Sequence, residues 1–280
     1  MKFGISLSSL GSNELEPQLE RALQLKQRHG LDHVEVSMTN LTGDPSILWP
    51  WDYSERTIRL MRDFLGHFES SGVHLPFAYI FLTCPNPRIR AEGIRQMEQG
   101  IDVSAELKLD YTVTHTKTGP REPGEMELEV DRFAEVFAGL AERAERHNLV
   151  FTVENGSDVG MHLDHVARIV KAVDRPGLAI TFDTGHANFL DATRAYGSHA
   201  GFIREEGRLI RNLHIHDNHT RTDEHLPMGR GNIDFAGVLA ALVEMDYGGA
   251  FTLEYMGDLE GQIDANIEDA RRLVENARHA

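Results

Sequence analysis

An aspartate and a histidine three residues apart close a short apolar segment in the second half of the chain. The segment ITFDTGHAN, residues 180–188, runs from apolar and β-branched residues into Asp183, and a glycine then precedes His186. An apolar run that ends at a glycine is typical of a buried strand entering a turn. A carboxylate oxygen and an imidazole nitrogen on one turn suit a divalent metal ion, but an Asp at this spacing is equally typical of a helix cap. The pair alone leaves both interpretations open.

The same pattern, an apolar run that ends in His, Asp or Glu, recurs at the ends of six consecutive predicted strands. The residues are His74, His115, Glu154, Asp183 with His186, His214 with His216, and Glu254. Any one of them could be a core polar residue that has found a partner. Burying several unpaired ionisable groups together is costly, whereas a metal ion neutralises carboxylates and holds imidazoles neutral. The series therefore predicts a site for one or more metal ions.

A polar loop, DNHTRTDEHLPMGRGNIDF, follows the seventh predicted strand. Asp223 and His225 are two residues apart, so in an extended loop they project to the same side. The proline and glycines predict sharp turns, and Asn232 or Asp234 can cap the next helix. An ordinary polar surface loop is the alternative interpretation.

Other candidate substrate contacts lie on loops over the predicted site. Trp49 and Trp51 could stack on a sugar, cover the site, or pack against the barrel rim or another subunit. Four loop cations could bind a substrate phosphate or be solvated surface charges: Lys117, Arg121, Arg221 and Arg230.

These residues need a scaffold that collects strand ends, and the chain alternates strand and helix patterns throughout. The predicted strands are Lys2–Ser8, His33–Met38, Val73–Phe77, Tyr111–Thr116, Val150–Asn155, Leu178–Asp183, Ile210–His216 and Ala250–Tyr255. The predicted helices are Asn13–Arg28, Ser54–Ser70, Arg88–Leu107, Glu127–His147, His162–Val173, Asn188–Glu206, Phe235–Met245 and one at the C-terminus. This order predicts an α/β fold, a single (β/α)8 TIM barrel over residues 1–280, with chemistry at the carboxyl ends of the strands. A doubly wound sheet is disfavoured because SLSSLGSNE after the first strand lacks the glycine pattern of a dinucleotide site.

Composition limits the partners. The 280 residues carry a formal net charge of −16 with 15 histidines, which argues against non-specific attraction to nucleic acid or anionic membrane. No apolar run approaches the roughly 18 residues of a membrane span, and the N-terminus shows no signal-peptide pattern. Cys84 is the only cysteine, so the cytoplasm is the expected compartment. The sequence leaves open whether the chain forms a homo-oligomer.

The ordered set HLPF, THT, VENG, DTGHAN, LHIHDN, DEHLPMGRGNIDF and TLEY resembles the xylose isomerase-like TIM barrel superfamily. That superfamily groups sugar phosphate isomerases and epimerases with DNA-repair enzymes of the endonuclease IV type. The resemblance covers the chain from the third predicted strand onward. Each motif alone is weak, and their order makes the resemblance specific.

The resemblance to the ketose 3-epimerase branch implies one divalent metal ion with four protein ligands. They are Glu154, Asp183, His214 and Glu254. The two glutamates would also move a proton on either side of the sugar, and His186 resembles a substrate contact. The endonuclease branch implies three zinc ions with additional ligands. These match His74, His115, His186, Asp223 and His225.

Two features separate the branches. The epimerases carry an Arg where this chain has His225, which leans away from a strict ketose epimerase. The DNA enzymes require loops that enter the groove and a basic surface that holds phosphates, whereas the loops of this chain are short and mixed in charge and its net charge is −16. The leading hypothesis is a divalent-metal-dependent isomerase or epimerase of a small sugar, ketose or sugar phosphate. Glu154 or Glu254 would remove a proton and the other return one, with His216 tuning their basicity.

The metal hypothesis favours one bound ion and leaves open a site with as many as three. The nitrogen and oxygen ligands fit Mn, Zn, Co and Fe alike. A multinuclear zinc phosphodiesterase acting on abasic DNA or another phosphoester is the alternative function. A non-catalytic metal- or sugar-binding barrel is disfavoured, because Glu154 and Glu254 offer acid–base groups that binding alone does not require.

Overall fold

A computed structural model of the protein describes residues 1–10, 15–38, 48–116, 126–156, 162–189, 193–256 and 262–279. Eight parallel strands form a closed barrel in which neighbours along the barrel are neighbours along the chain. The strands are β1 Lys2–Ser6, β2 His33–Ser37, β3 Ser70–His74, β4 Tyr111–His115, β5 Val150–Glu154, β6 Leu178–Asp183, β7 Ile210–Ile215 and β8 Ala250–Leu253. The predicted (β/α)8 barrel is confirmed.

Helices follow the strands. They are α1 Leu15–His29, α2 Glu55–Leu65, α3 Pro87–Glu106, α4 Met126–Arg146, α5 Leu163–Val173, α6 Thr184–Asn188, α7 His199–Glu206, α8 Phe235–Glu244 and α9 Ile263–His279. Several of their starts are set by side-chain caps: Ser54 accepts a hydrogen bond from the Thr57 N–H at α2, and Asp234 accepts one from the Gly237 N–H at α8. No helix among the described residues is both long and apolar enough to cross a membrane.

The chain groups into two compact units. The first comprises Met1–Glu35, Phe68–Ser70 and Phe182–Ala280, and the second comprises Val36–His67 and Ser71–Thr181. In the first unit, β1 pairs with β2 and β8, and β7 pairs with β8 so that His214 lies opposite Thr252. In the second unit, β4 pairs with β3 and β5, which places His115 opposite Glu154. The organisation as one domain over residues 1–280 stays a prediction.

The third predicted strand was placed too late in the chain. The helix predicted over Ser54–Ser70 ends earlier, where Gly66 caps α2. Backbone pairing then begins sooner, because the Ser70 N–H donates to the Asp32 carbonyl at 3.2 Å. The strand is therefore Ser70–His74 rather than Val73–Phe77, and His74 is its last residue.

The helix predicted over Asn188–Glu206 was also wrong. Asp183 caps the short helix α6 directly after β6, and the longer helix α7 begins only at His199. Between them, Gly197 adopts φ +73°, a left-handed conformation that ends the preceding 3₁₀ turn. Ser198 then caps α7 by accepting from the Gly201 N–H. The left-handed glycine and the serine cap interrupt a region that helical periodicity alone predicts as one helix.

The first and last strands are each two residues shorter than predicted. The first strand ends at Ser6 instead of Ser8, because Leu7–Leu10 form a 3₁₀ turn. The last strand ends at Leu253, two residues before the predicted end. Glu254 therefore begins the loop rather than completing the strand.

Candidate metal centre

Asp183 combines the two roles that its sequence context left open. One carboxylate oxygen caps α6 by accepting the His186 N–H at 2.6 Å. Both oxygens lie 3.0 Å from Nε2 of His216, and the side chain is fully buried. The hydrogen bond from the His186 N–H holds one carboxylate oxygen at the start of α6. The position of the second oxygen is thereby fixed as well. The cap and the metal hypothesis are therefore compatible.

His214 lies between two sets of carboxylates. Its Nε2 is 3.0 Å from Oε1 of Glu35, whose side chain is fully buried. Its Nδ1 faces the opposite way, 3.3 Å from Oε2 of Glu254 and 3.9 Å from Oδ2 of Asp183. One ring nitrogen thus binds a buried carboxylate while the other converges with two predicted ligands.

A second cluster in the same unit joins α6 to the polar loop. Its members are His186, His216, Asp223 and His225, whose ligand atoms all lie within 4.8 Å of one another. Oδ2 of Asp223 lies 3.1 Å from His186 Nε2 and 3.4 Å from His225 Nε2. The rings of His216 and His225 are stacked with centroids 3.7 Å apart. The loop prediction is therefore correct in bringing Asp223 and His225 to one side.

The charges of this cluster are coupled. Partial burial opposes the charged form of Asp223, but hydrogen bonds from His186 and His225 hold its pKa below the ordinary value. Burial likewise opposes a charged His225, yet its hydrogen bond to Asp223 and the nearby Glu254 raise its pKa to about 9. A proton on the His225 ring thus balances negative charge of the nearby carboxylates. A divalent ion bound there would replace that proton.

A third cluster lies in the other unit and consists of His74, His115 and Glu154. The Nε2 atoms of the two histidines are 3.1 Å apart, and each is 3.3 Å from Oε2 of Glu154. The Nδ1–H of His74 donates to the Leu75 carbonyl at 3.0 Å, which turns Nε2 toward the cluster. Three potential ligand atoms converge on one point.

Three histidines share an arrangement that fits a metal ion. Each has one ring nitrogen bonded to a fixed oxygen and the other facing a carboxylate. The fixed partners are the Leu75 carbonyl for His74, the Glu35 carboxylate for His214 and the Glu254 carbonyl for His225. Anchoring of the outer ring nitrogen is characteristic of metal-ligating histidines, since it sets the tautomer and the ring direction. The oxygen and nitrogen donors suit Zn, Mn, Fe or Co alike.

Two buried carboxylates next to these clusters were missed by the sequence reasoning. Glu35 lies in the middle of β2, in the run HVEVS, where a charged residue among valines was the only available signal. Asp217, two residues after the end of β7, accepts hydrogen bonds from four backbone N–H groups of the polar loop. They belong to Asn218, Gly229, Gly231 and Ile233. Nothing local in the sequence indicates that pattern.

The structure describes four of the six predicted phosphate and sugar contacts. Arg230 forms an ion pair with Asp269 of α9 at 3.7 Å, and Arg221 is exposed. Lys117 and Arg121 lie outside the described residues. Trp49 and Trp51 stack on each other with ring centroids 5.3 Å apart.

Comparison with known families agrees with the barrel fold. A family model described as the xylose isomerase-like TIM barrel matches residues 23–277. The chain belongs to this family. The predicted resemblance is confirmed.

Two proteins are similar to this chain in sequence. The uncharacterized protein MJ1311 of Methanocaldococcus jannaschii is 29% identical over 263 residues, covering 91% of this chain and 83% of that protein. The probable endonuclease 4 of Persephonella marina is 22% identical over 246 residues, covering 81% of this chain and 85% of that protein.

Two solved structures of similar barrels superpose over nearly the whole chain. A D-tagatose 3-epimerase-like protein shares 26% identity with a TM-score of 0.78, covering 100% of this chain and 99% of that one. The IOLI protein, solved with a bound zinc atom, shares 18% identity with a TM-score of 0.75, covering 99% of this chain and 98% of that one. The second likeness extends to the fold alone.

Proposed function

We propose that the protein is a divalent-metal-dependent isomerase or epimerase of a small sugar, ketose or sugar phosphate. The observation that carries the proposal is the setting of His214, whose Nδ1 faces the carboxylates of Glu254 and Asp183 while Nε2 is anchored on Glu35. The likeness to a solved D-tagatose 3-epimerase-like protein supports the same reaction class.

The proposed ligands of a single ion are the four strand-end groups. They are Glu154, Asp183, His214 and Glu254. In a parallel barrel the carboxyl ends of all strands face one end, which is where such enzymes build their sites. When bound, the ion supplies Lewis acidity at a substrate carbonyl and an adjacent hydroxyl, which acidifies the neighbouring C–H.

The protein's own part in the reaction is proton transfer. In the proposed reaction one of Glu154 and Glu254 removes the proton from the substrate carbon, and the other delivers a proton to the opposite face for epimerisation. Both carboxyl groups are buried, at 1% and 6% exposure. Exclusion of water strengthens their interactions with the substrate and limits exchange of the transferred proton. Asp183 and His214 would complete the ligand set of the ion without exchanging protons.

A multinuclear phosphodiesterase is the second candidate, and a specific observation favours it. Besides the four proposed ligands, the cluster of His186, His216, Asp223 and His225 could hold another ion, as could His74 and His115 with Glu154. Hydrolysis of a phosphoester would use closely spaced ions and a hydroxide nucleophile. The endonuclease relative supports this alternative, and the acidic net charge of −16 weighs against a DNA substrate.

Metal content per chain separates the two candidates. Untagged protein purified without chelator is analysed by elemental mass spectrometry, alongside Asp183→Ala and His115→Ala. The isomerase proposal expects about one equivalent, lost in Asp183→Ala and kept in His115→Ala, with turnover in a panel of ketoses and sugar phosphates. Two or three equivalents that fall in His115→Ala, together with cleavage of abasic DNA or a phosphodiester, would transfer the assignment to the second candidate.

A further inference from the structure

Glu35 is a fully buried carboxylate in the middle of β2, away from any strand end. Burying a carboxylate without partners is strongly unfavourable. The groups that contact Glu35 therefore indicate its role. Its Oε1 and Oε2 lie 3.0 and 3.1 Å from Nε2 of His214, and Oε2 also accepts the side-chain N–H of Asn212 at 3.1 Å. His214 and Asn212 belong to β7.

A third side chain fixes the orientation of Asn212. The hydroxyl of Thr252 on β8 donates to Oδ1 of Asn212 at 2.8 Å. Because the amide oxygen accepts from that hydroxyl, the amide nitrogen must face Glu35 as a donor. One carboxylate oxygen is therefore occupied by Asn212, and the carboxylate is held toward His214.

This arrangement favours one tautomer of His214. A carboxylate next to Nε2 favours the ring with its proton on that nitrogen. The lone pair of the neutral ring then lies on Nδ1, the atom that is 3.3 Å from Glu254 and 3.9 Å from Asp183. Hydrogen bonding from Nε2–H to a carboxylate also increases the basicity of Nδ1.

We infer that Glu35 is a positioning residue that holds His214 with its proton on Nε2 and thereby makes Nδ1 the metal-binding atom. The inference rests on the proposed function, and it adds a residue that does not itself touch the ion or the substrate. Removal of such an outer partner costs about 10–100-fold in metal affinity. A purely structural carboxylate would instead change the stability of the metal-free protein and leave the affinity alone.

The first test measures the affinity for Zn²⁺ by competition with a chromophoric chelator at fixed pH. Glu35→Gln is compared with wild type and with Glu206→Gln, which removes a buried carboxylate at the end of α7. The expected result is a Kd about 10–100-fold weaker in Glu35→Gln and a wild-type Kd in the control. A Kd for Glu35→Gln indistinguishable from that of wild type would overturn the inference.

A double variant separates positioning from misfolding. In Glu35→Gln/Asn212→Asp, the amide oxygen at position 35 accepts from His214, and the amide nitrogen there donates to the new carboxylate at position 212. That carboxylate also accepts from the hydroxyl of Thr252. The double variant therefore keeps the hydrogen bonds among positions 35, 212, 214 and 252. The negative charge, however, moves from position 35 to position 212. The expected Kd lies between those of wild type and Glu35→Gln, and a Kd no better than that of Glu35→Gln in a folded protein would contradict positioning by hydrogen bonding.

The second test observes the ring directly. The ¹⁵N shifts of histidine-labelled, zinc-loaded wild type should show His214 with a metal-bound Nδ1 and a protonated Nε2. A protonated Nδ1 would overturn the inference even if the protein binds zinc and turns over a sugar. Absence of zinc binding by the wild type would overturn the proposed function and this inference together, whereas equal binding by wild type and Glu35→Gln would overturn the inference alone.

Discussion

The backbone of Gly185 lies directly against the imidazole ring of His216. A Cβ placed on Gly185 would overlap the ring, with Cε1, Nδ1 and Nε2 as its nearest atoms. The same ring bonds through Nε2 to Asp183, two residues before the glycine, at 3.0 Å. The glycine of the DTGH segment is therefore required by a histidine on the next strand end, and not by an unusual backbone angle.

We expect Gly185→Ala to displace His216 and with it the Asp183 oxygen that His216 contacts. Overlap in a packed interior costs about 1–3 kcal/mol of stability, and the shift of a proposed ligand should weaken metal binding as well. Urea unfolding and zinc titration measure the two effects. The matched control is Gly139→Ala in α4, where a Cβ meets nothing within 4 Å and a gain of about 0.5–1 kcal/mol is expected. Wild-type zinc affinity in Gly185→Ala would show that the position of His216 is irrelevant to the ion.

The strand-end residues could be predicted from sequence because the barrel geometry itself collects them. A polar residue such as His115 or Glu154 at the end of an apolar run needs only the strand assignment to be placed. Glu35 could not be found in this way, since its partner His214 is 179 residues distant along the chain and Glu35 lies in mid-strand. Its role depends on a contact between side chains of β2 and β7, and no local sequence pattern predicts that contact.

The errors in secondary structure have a similar origin. Helical periodicity alone joined the region 188–206 into one helix, and the left-handed Gly197 with the Ser198 cap divides it. The loop that carries Asp223 and His225 was predicted as polar and turn-rich. Its actual shape depends on Asp217, whose carboxylate gathers backbone groups up to 16 residues away.

Asp217→Asn should disrupt that loop. The side chain is fully buried and accepts four backbone N–H groups, and an amide can satisfy only part of them with its single oxygen. Leaving buried donors unpaired costs about 1–3 kcal/mol. Loosening of the loop should also weaken the contact of His225 with Asp223, so any ion bound there is lost first.

The measurement is thermal unfolding with metal content before and after dialysis. The control is Asp234→Asn, which changes the exposed cap of α8 and should cost no more than about 1 kcal/mol. Equal losses of stability in the two variants would contradict the organising role of Asp217.

Glu254→Gln should abolish proton transfer while the fold is kept. The amide retains an oxygen for a metal ion but cannot act as a base, so kcat should fall by about 10²–10⁴-fold at saturating metal. Incorporation of solvent deuterium at the substrate carbon is the direct measurement, with zinc content checked in the same sample. Glu206→Gln is again the control. Full turnover by Glu254→Gln would eliminate the mechanism with two glutamates.

His199 gives a pH dependence of stability that is independent of metal. Burial lowers its pKa, while its Nε2–H donates to the Thr184 carbonyl at 2.9 Å. The folded protein therefore favours the neutral ring, whereas the unfolded chain takes up a proton near the ordinary pKa of about 6.5. Stability from this residue is complete above about pH 6.5 and is lost as the pH falls below it.

His199→Gln separates that contribution from those of the other histidines, because an amide can donate to Thr184 without titrating. Urea unfolding of the metal-free wild type and variant at about pH 7.5, 6.5 and 5.5 measures the difference across the ordinary histidine pKa. The wild type should lose stability relative to the variant as the pH falls, with a limiting slope of about 1.4 kcal/mol per pH unit. Parallel curves for the two proteins would show that His199 is protonated in the folded state at no cost, contrary to its burial beside the ring of Phe182.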